Sequence, residues 1–210
     1  MVKGFLFHYI DFFVDTLSGA KRLLYLYHKR YSTPKPQRKA CFMHPTKNDM
    51  PLKTRTEVIS LLAPLLADAI ALKLQTKQAH WNVKGENFIA MHELFDKVAA
   101  EVEDAADMIA ERIVQLGGEA KGTAHAVAKQ SRLLEYPYTI ANGEKHVFAL
   151  SSAIAAFNEN GREGIDKTDE AGDAITTDML TGIVRGLDKQ MWFVESHLKE
   201  TEQKSQRKAG

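Results

Sequence analysis

The chain has 210 residues, of which 44% are hydrophobic and 26% charged, with a formal net charge of +1. These values exclude global disorder and, at the level of the whole chain, give no charge-based sign of a nucleic-acid or membrane partner. One cysteine, Cys41, excludes an intrachain disulfide framework and a cysteine-based zinc or iron–sulfur centre. No run of 18 uncharged apolar residues is present, so no membrane span is expected.

Residues 1–42 differ in composition from the rest. They hold eight Lys/Arg against two Asp, nine of the 18 aromatics, and the cysteine. Residues 43–210 hold 20 basic and 25 acidic residues. A shift this sharp marks a boundary near Met43. The stretch Phe5–Val14 is interrupted by His8 and Asp11 and lacks the pattern of a secretory signal. Residues 1–42 therefore read as an extension, with Met43 expected as the native start. A membrane-surface helix followed by the breaker Pro34-Lys35-Pro36 is the alternative.

Four long helices are predicted after that boundary. The first spans Thr54 to Asn82, with Val58, Leu62, Leu65, Ala69, Leu72 and Ala79 on one face. The second spans Asn87 to Leu116, with Phe88, Met91, Phe95, Val98, Val102, Ile109 and Ile113 on its stripe, and Gly117-Gly118 stops it. Residues 119–143 form a long connection with a short helix near 124–132. The third starts near Glu144, and Gly161 and Gly164 are expected to weaken its second half. The fourth runs from Ala174 to Lys199. The fold class is all-α: a ferritin-like four-helix bundle with a long crossover between helices two and three. Residues 43–210 form this domain and end in a basic C-terminal tail.

Helix two carries the candidate ligands. With His92 at zero and 100° per residue, Asp96, Asp107 and Glu111 fall at about 40°, 60° and 100°, away from the apolar stripe. His92/Asp96 and Asp107/Glu111 are i, i+4 pairs. Asp96 and Asp107 lie roughly 16 Å apart along the axis, too far for one metal. The pairs 92/111 and 96/107 share one midpoint, between residues 101 and 102. An antiparallel second copy centred there sets His92/Asp96 of one chain against Asp107/Glu111 of the other, giving two equal sites. Ala99 and Ala100 near the centre are small enough for close approach. His80 comes level with His92 across the turn at Gly85. Two imidazoles and three carboxylates suit ferrous iron, manganese or zinc. The usual di-iron motif Glu-x-x-His is absent from the sequence.

The run from Lys77 to Asp96, KQAHWNVKGENFIAMHELFD, and the run from Asp107 to Gly118, DMIAERIVQLGG, resemble the two signatures of the Dps family, ferritin-like DNA-protection proteins of starved bacterial cells. The similarity covers about residues 44–200, and Met43–Asp49 resembles an ordinary start for the family. It implies a cytoplasmic homo-oligomer, a hollow dodecamer, that oxidises Fe(II) to Fe(III) with hydrogen peroxide and stores the mineral. It implies that His80, His92 and Asp96 come from one subunit and Asp107 and Glu111 from its two-fold mate. Trp81 is expected either to intercept stray oxidising equivalents or to pack at the helix end. Trp192 is expected in the core, and Lys77 paired with a carboxylate. Asp166, Asp169, Glu170, Asp173 and Asp178 either line a cation entry pore or make a polar turn. Glu93 and Glu103 are candidates for mineral nucleation.

DNA binding is left open. Met43–Arg55 carries Lys47, Lys53 and Arg55 against Asp49, and Lys199–Gly210 carries four basic against two acidic residues. Such tails repeated over many subunits neutralise phosphates by avidity, and association with the nucleoid would follow. Two further readings stand beside iron oxidation: a nucleoid-compacting DNA binder, and a metal-bridged oligomer without turnover.

Overall fold

The computed structural model describes residues 43–140 and 142–198. The extension 1–42 and the tail from Lys199 onward lie outside the described residues, and so do the expectations placed on them. Among the described residues the regular structure is entirely helical: α1 (Leu52–Asn82), α2 (Phe88–Gln115), α3 (Ala124–Gln130), α4 (Gly143–Glu170) and α5 (Ala174–Glu195). The four long helices, the short α3 and the crossover between α2 and α4 match the sequence expectation.

Apolar residues at steps of three and four give each long helix a buried face. Leu62, Leu72, Phe95, Ile109, Leu150, Phe157 and Leu180 meet there at no more than 1% exposure. Helix α1 packs on α2 and α4, and α5 packs on α4 and α2. Two hairpins, α1–α2 and α4–α5, thus share one core. The first turns at Gly85, whose φ of +118° suits a residue without Cβ.

Helix α4 runs unbroken through Gly161 and Gly164. A Cβ on Gly161 would lie 2.6 Å from Val184 Cγ2, and one on Gly164 would lie 3.0 Å from Leu65 Cδ1. Both positions let neighbouring helices approach closely, where a residue of higher helix propensity, by roughly 1 kcal/mol, would clash.

The crossover is held by one buried carboxylate. Asp68, in the middle of α1, is fully buried. It accepts hydrogen bonds from Arg132 N (2.6 Å), Nε (2.9 Å) and Nη2 (2.7 Å), and from Ser131 Oγ (3.1 Å). Asn160 Nδ2 of α4 approaches the same carboxylate at 3.4 Å. Asp68→Ala strands these donors beneath the crossover, so we expect a loss of about 2–3 kcal/mol. Thermal unfolding at fixed protomer concentration checks this, with Asp68→Asn restoring part of the loss.

The N-terminal segment is tied down as well. His44 N donates to Gly117 O (2.7 Å), and Arg55 donates to the carbonyls of Met50 (3.0 Å) and Leu116 (3.1 Å). Arg55 therefore ties the start of α1 to the end of α2.

Candidate metal centre

The α1–α2 hairpin brings His80 and His92 face to face. Their rings stack with centroids 3.7 Å apart and an interplanar angle of 22°. Each ring is bonded to the other residue's main chain: His80 Nδ1 lies 2.8 Å from His92 O, and His92 Nδ1 lies 2.9 Å from His80 O. A carbonyl oxygen only accepts, so both Nδ1 atoms carry the proton. In the neutral imidazole Nε2 then keeps its lone pair, the form in which a histidine binds a metal. His80 O is among the last four carbonyls of α1, which have no partner within the helix. The His92 ring satisfies it, so ring orientation and helix end are secured by the same bond. Phe88 lies 5.1 Å from the His92 ring and is 38% exposed. It flanks the imidazole pair at the start of α2 and lies less deep than its place on the stripe suggested.

Asp96 follows one turn after His92. Its Oδ1 lies 2.6 Å from Lys77 Nζ and 4.0 Å from His80 Nδ1. The Lys77 hydrogen bond, aided by the charge of the Lys77 ammonium, holds its carboxyl below the usual carboxylate range despite some desolvation. Asp96 is thus an anion, open to solvent beside two imidazoles. Lys77 pairs with a carboxylate, as expected. Its Nζ also lies 5.9 Å from the Trp81 ring, which is 65% exposed.

Asp107 and Glu111 are exposed further along α2. The hairpin does not bring them to the histidines. Among the described residues of a single chain, no three His, Cys, Asp or Glu side chains converge as metal ligands. The five predicted residues therefore divide into two groups: His80, His92 and Asp96 at one end of α2, and Asp107 and Glu111 toward the other. Of the two small residues at the midpoint, Ala100 is exposed, whereas Ala99 is 3% exposed and faces its own core. Imidazole nitrogen with carboxylate oxygen forms a borderline-hard donor set, which fits ferrous and ferric iron.

Other expectations change. Trp192 is 64% exposed, beside Phe193 at 4.9 Å, and is not a core residue of this chain. Asp173 is 1% exposed and paired with Arg112, so it cannot line a pore. Glu103 is paired with Lys73 at 2.5 Å. The reciprocal ring-to-carbonyl bonds had no sequence signal beyond the placing of the two histidines on either side of Gly85, five residues before it and seven after.

A helical bundle with one long crossover, and paired imidazoles and a carboxylate on a hairpin outside the core, define a ferritin-like protein. The ferritin-like domain family matches residues 59–204. A "DNA protection during starvation protein" from Agrobacterium fabrum is 45% identical over 157 residues, covering 75% of this chain and 97% of that protein. The solved structure of DpsA14 from Streptomyces coelicolor superposes with a TM-score of 0.72 at 33% identity, covering 77% of this chain and 96% of that one. Dps from Microbacterium arborescens, solved in a high iron form, gives 0.66 at 36% identity, covering 72% and 97%. The chain belongs to the Dps family of ferritin-like proteins.

Proposed function

We propose that this protein is a ferroxidase and iron store. It takes up Fe(II), oxidises it with hydrogen peroxide, and deposits the ferric product inside a hollow homo-oligomer, a dodecamer. The observation that carries this reading is the imidazole pair: both rings are locked with Nε2 free, beside an ionised carboxylate, at a solvent-accessible end of α2.

His80, His92 and Asp96 of one subunit would bind ferrous iron together with Asp107 and Glu111 of a two-fold mate. The inverse register of the two groups along α2 supports this division, since an antiparallel mate sets them opposite each other. The two imidazoles orient the substrate ion without adding charge, and the carboxylates favour the ferric state as it forms. Two ferrous ions each give one electron to one peroxide molecule, whose O–O bond breaks to water-level oxygen. Hydrolysis of the ferric ions to oxyhydroxide releases protons, which the open site passes to solvent. Paired electron transfer avoids hydroxyl radical, and this would protect DNA. Trp81, exposed one residue from His80, would intercept stray oxidising equivalents.

The test is an anaerobic ferrous titration followed by peroxide. We expect saturable ferrous binding and then oxidation at about one peroxide per two ferrous ions. Binding without peroxide-dependent turnover would leave only a metal-bridged oligomer. The second reading, a nucleoid DNA binder in the cytoplasm, is favoured by the name of the Agrobacterium relative. A mobility shift that weakens steeply with salt would support it. No described helix is long and apolar enough to cross a membrane.

A further inference from the structure

The imidazole pair is only as well placed as the turn that carries it, and the start of α4 meets that turn on both arms. A Cβ on Gly143 would lie 2.5 Å from Met91 Cε, one residue before His92, and 3.4 Å from Lys84 O. One turn further along α4, His146 is 1% exposed. Its Nδ1 lies 2.7 Å from the hydroxyl of Tyr136, a crossover residue that is itself buried. The two rings stack with centroids 6.1 Å apart and an interplanar angle of 18°. Burial raises the Tyr136 phenol, so it keeps its proton. Burial lowers the His146 imidazole, and the Asn82 main chain opposes that effect. A main-chain group that favours the charged imidazole is a carbonyl facing a ring N–H. The proton of the neutral ring therefore sits on Nε2, toward Asn82, and Nδ1 accepts from the phenol. Nε2 is buried and makes no hydrogen bond of full geometry among the described residues. Asn82 is the last residue of α1, so its carbonyl, like that of His80, has no partner within the helix. Two imidazoles thus serve the end of α1: His92 at His80 O, and His146 at Asn82.

We propose that His146, held by Tyr136, is a positioning residue for the metal centre: it secures the end of α1 from the α4 side, so that the His80 and His92 rings keep the register in which each meets the other's carbonyl. Helix ends with unmet carbonyls fray. A shift of the turn by about 1 Å takes a ring nitrogen beyond hydrogen-bond reach of its carbonyl, and the ring is then free to rotate. His80 lies two residues before Asn82, so the loosened end of α1 includes a ligand. His146 and Tyr136 do not touch the ion. They act through the main chain of the turn, and the crossover is thereby coupled to a site on the opposite hairpin.

This rests on His80 and His92 being ligands, and the experiment separates the two claims. Cobalt(II) without oxidant is the probe, because it takes nitrogen and oxygen ligands and its visible absorption reports their geometry. Binding to the assembled protein is titrated for wild type, Tyr136→Phe, His146→Leu, His146→Gln and His92→Ala, with assembly checked by size exclusion. Val184→Ala is the control for plain destabilisation: it opens the core beside Gly161, roughly 22 Å along α4 from His146. We expect affinity to fall about tenfold in His146→Leu and about threefold in Tyr136→Phe, with an altered spectrum in both. His146→Gln keeps an N–H donor and should stay within about threefold of wild type. Val184→Ala should lower the melting temperature and leave affinity and spectrum unchanged. Unchanged affinity and spectrum in His146→Leu, or an equal loss in Val184→Ala, would overturn the positioning role, while binding lost in His92→Ala keeps the centre. Should His146→Leu fail to assemble, Tyr136→Phe decides by the same criterion. Undiminished binding in His92→Ala would overturn both.

Discussion

Subunits carrying His92→Ala with Asp96→Ala, and subunits carrying Asp107→Ala with Glu111→Ala, are each expected to lose peroxide-dependent ferroxidation by at least about 100-fold. Mixed in equal numbers, the two inactive parents should regain about a quarter of the wild-type rate. Half of the two-fold pairs then join unlike subunits. In such a pair one site lacks all four ligands and the other keeps them all. The mutated positions are exposed or half-buried, so assembly should survive. Rates from stopped-flow oxidation, with mixing proven by native mass measurement, decide the matter. No recovery in proven mixed oligomers would show that the two groups on α2 do not meet across an interface.

A second large effect is expected away from the candidate centre. Arg112, 7% exposed on the otherwise apolar stripe of α2, donates from Nη2 to both oxygens of Asp173 at 2.8 and 3.0 Å. Its Nε donates to Thr176 Oγ1 at 2.8 Å. Asp173 caps α5 by accepting from Thr176 N at 3.1 Å. One buried pair thus ties α2 to the α4–α5 turn. Arg112→Met leaves Asp173 buried without its partner, and a loss of about 3–5 kcal/mol follows. Adding Asp173→Asn to Arg112→Met should recover part of that loss, because no buried charge is then stranded.

The pH dependence has a definite sign. Burial pushes the Asp173 carboxyl up, but hydrogen bonds from Thr176 and the Arg112 guanidinium outweigh it and hold it below the ordinary 3.8. A carboxylate lowered by folding stabilises the native state above its unfolded value. That stability is lost as pH falls through the lower folded value. Wild-type unfolding should therefore show an acid step below about pH 3.8. In Arg112→Met burial is less opposed, and the step moves to higher pH. Acid unfolding followed by circular dichroism measures the shift.

Much of this protein follows from local rules that a sequence displays. The helical period placed all four long helices, and the turn at Gly85 predicted that His80 and His92 come level. The division of the four candidate ligands on α2 into two groups was legible because positions on one straight helix follow from residue number alone. Other features needed the tertiary structure, because their partners are distant in sequence. Asp68 reads as a polar break in an apolar face until Arg132 and Ser131 close over it. Asp173 reads as one of five acidic residues at a turn until Arg112, 61 residues away, neutralises it. Gly161 and Gly164 read as weak points until Val184 and Leu65 occupy the space they leave. Nor could the sequence say which nitrogen each histidine offers, since that depends on a carbonyl 12 residues away. Period and turn chemistry act over a few residues and can be read along the chain. Burial of charge, close helix approach and choice of tautomer depend on which atoms the fold brings within a hydrogen bond or a van der Waals contact, and only the packed structure determines that.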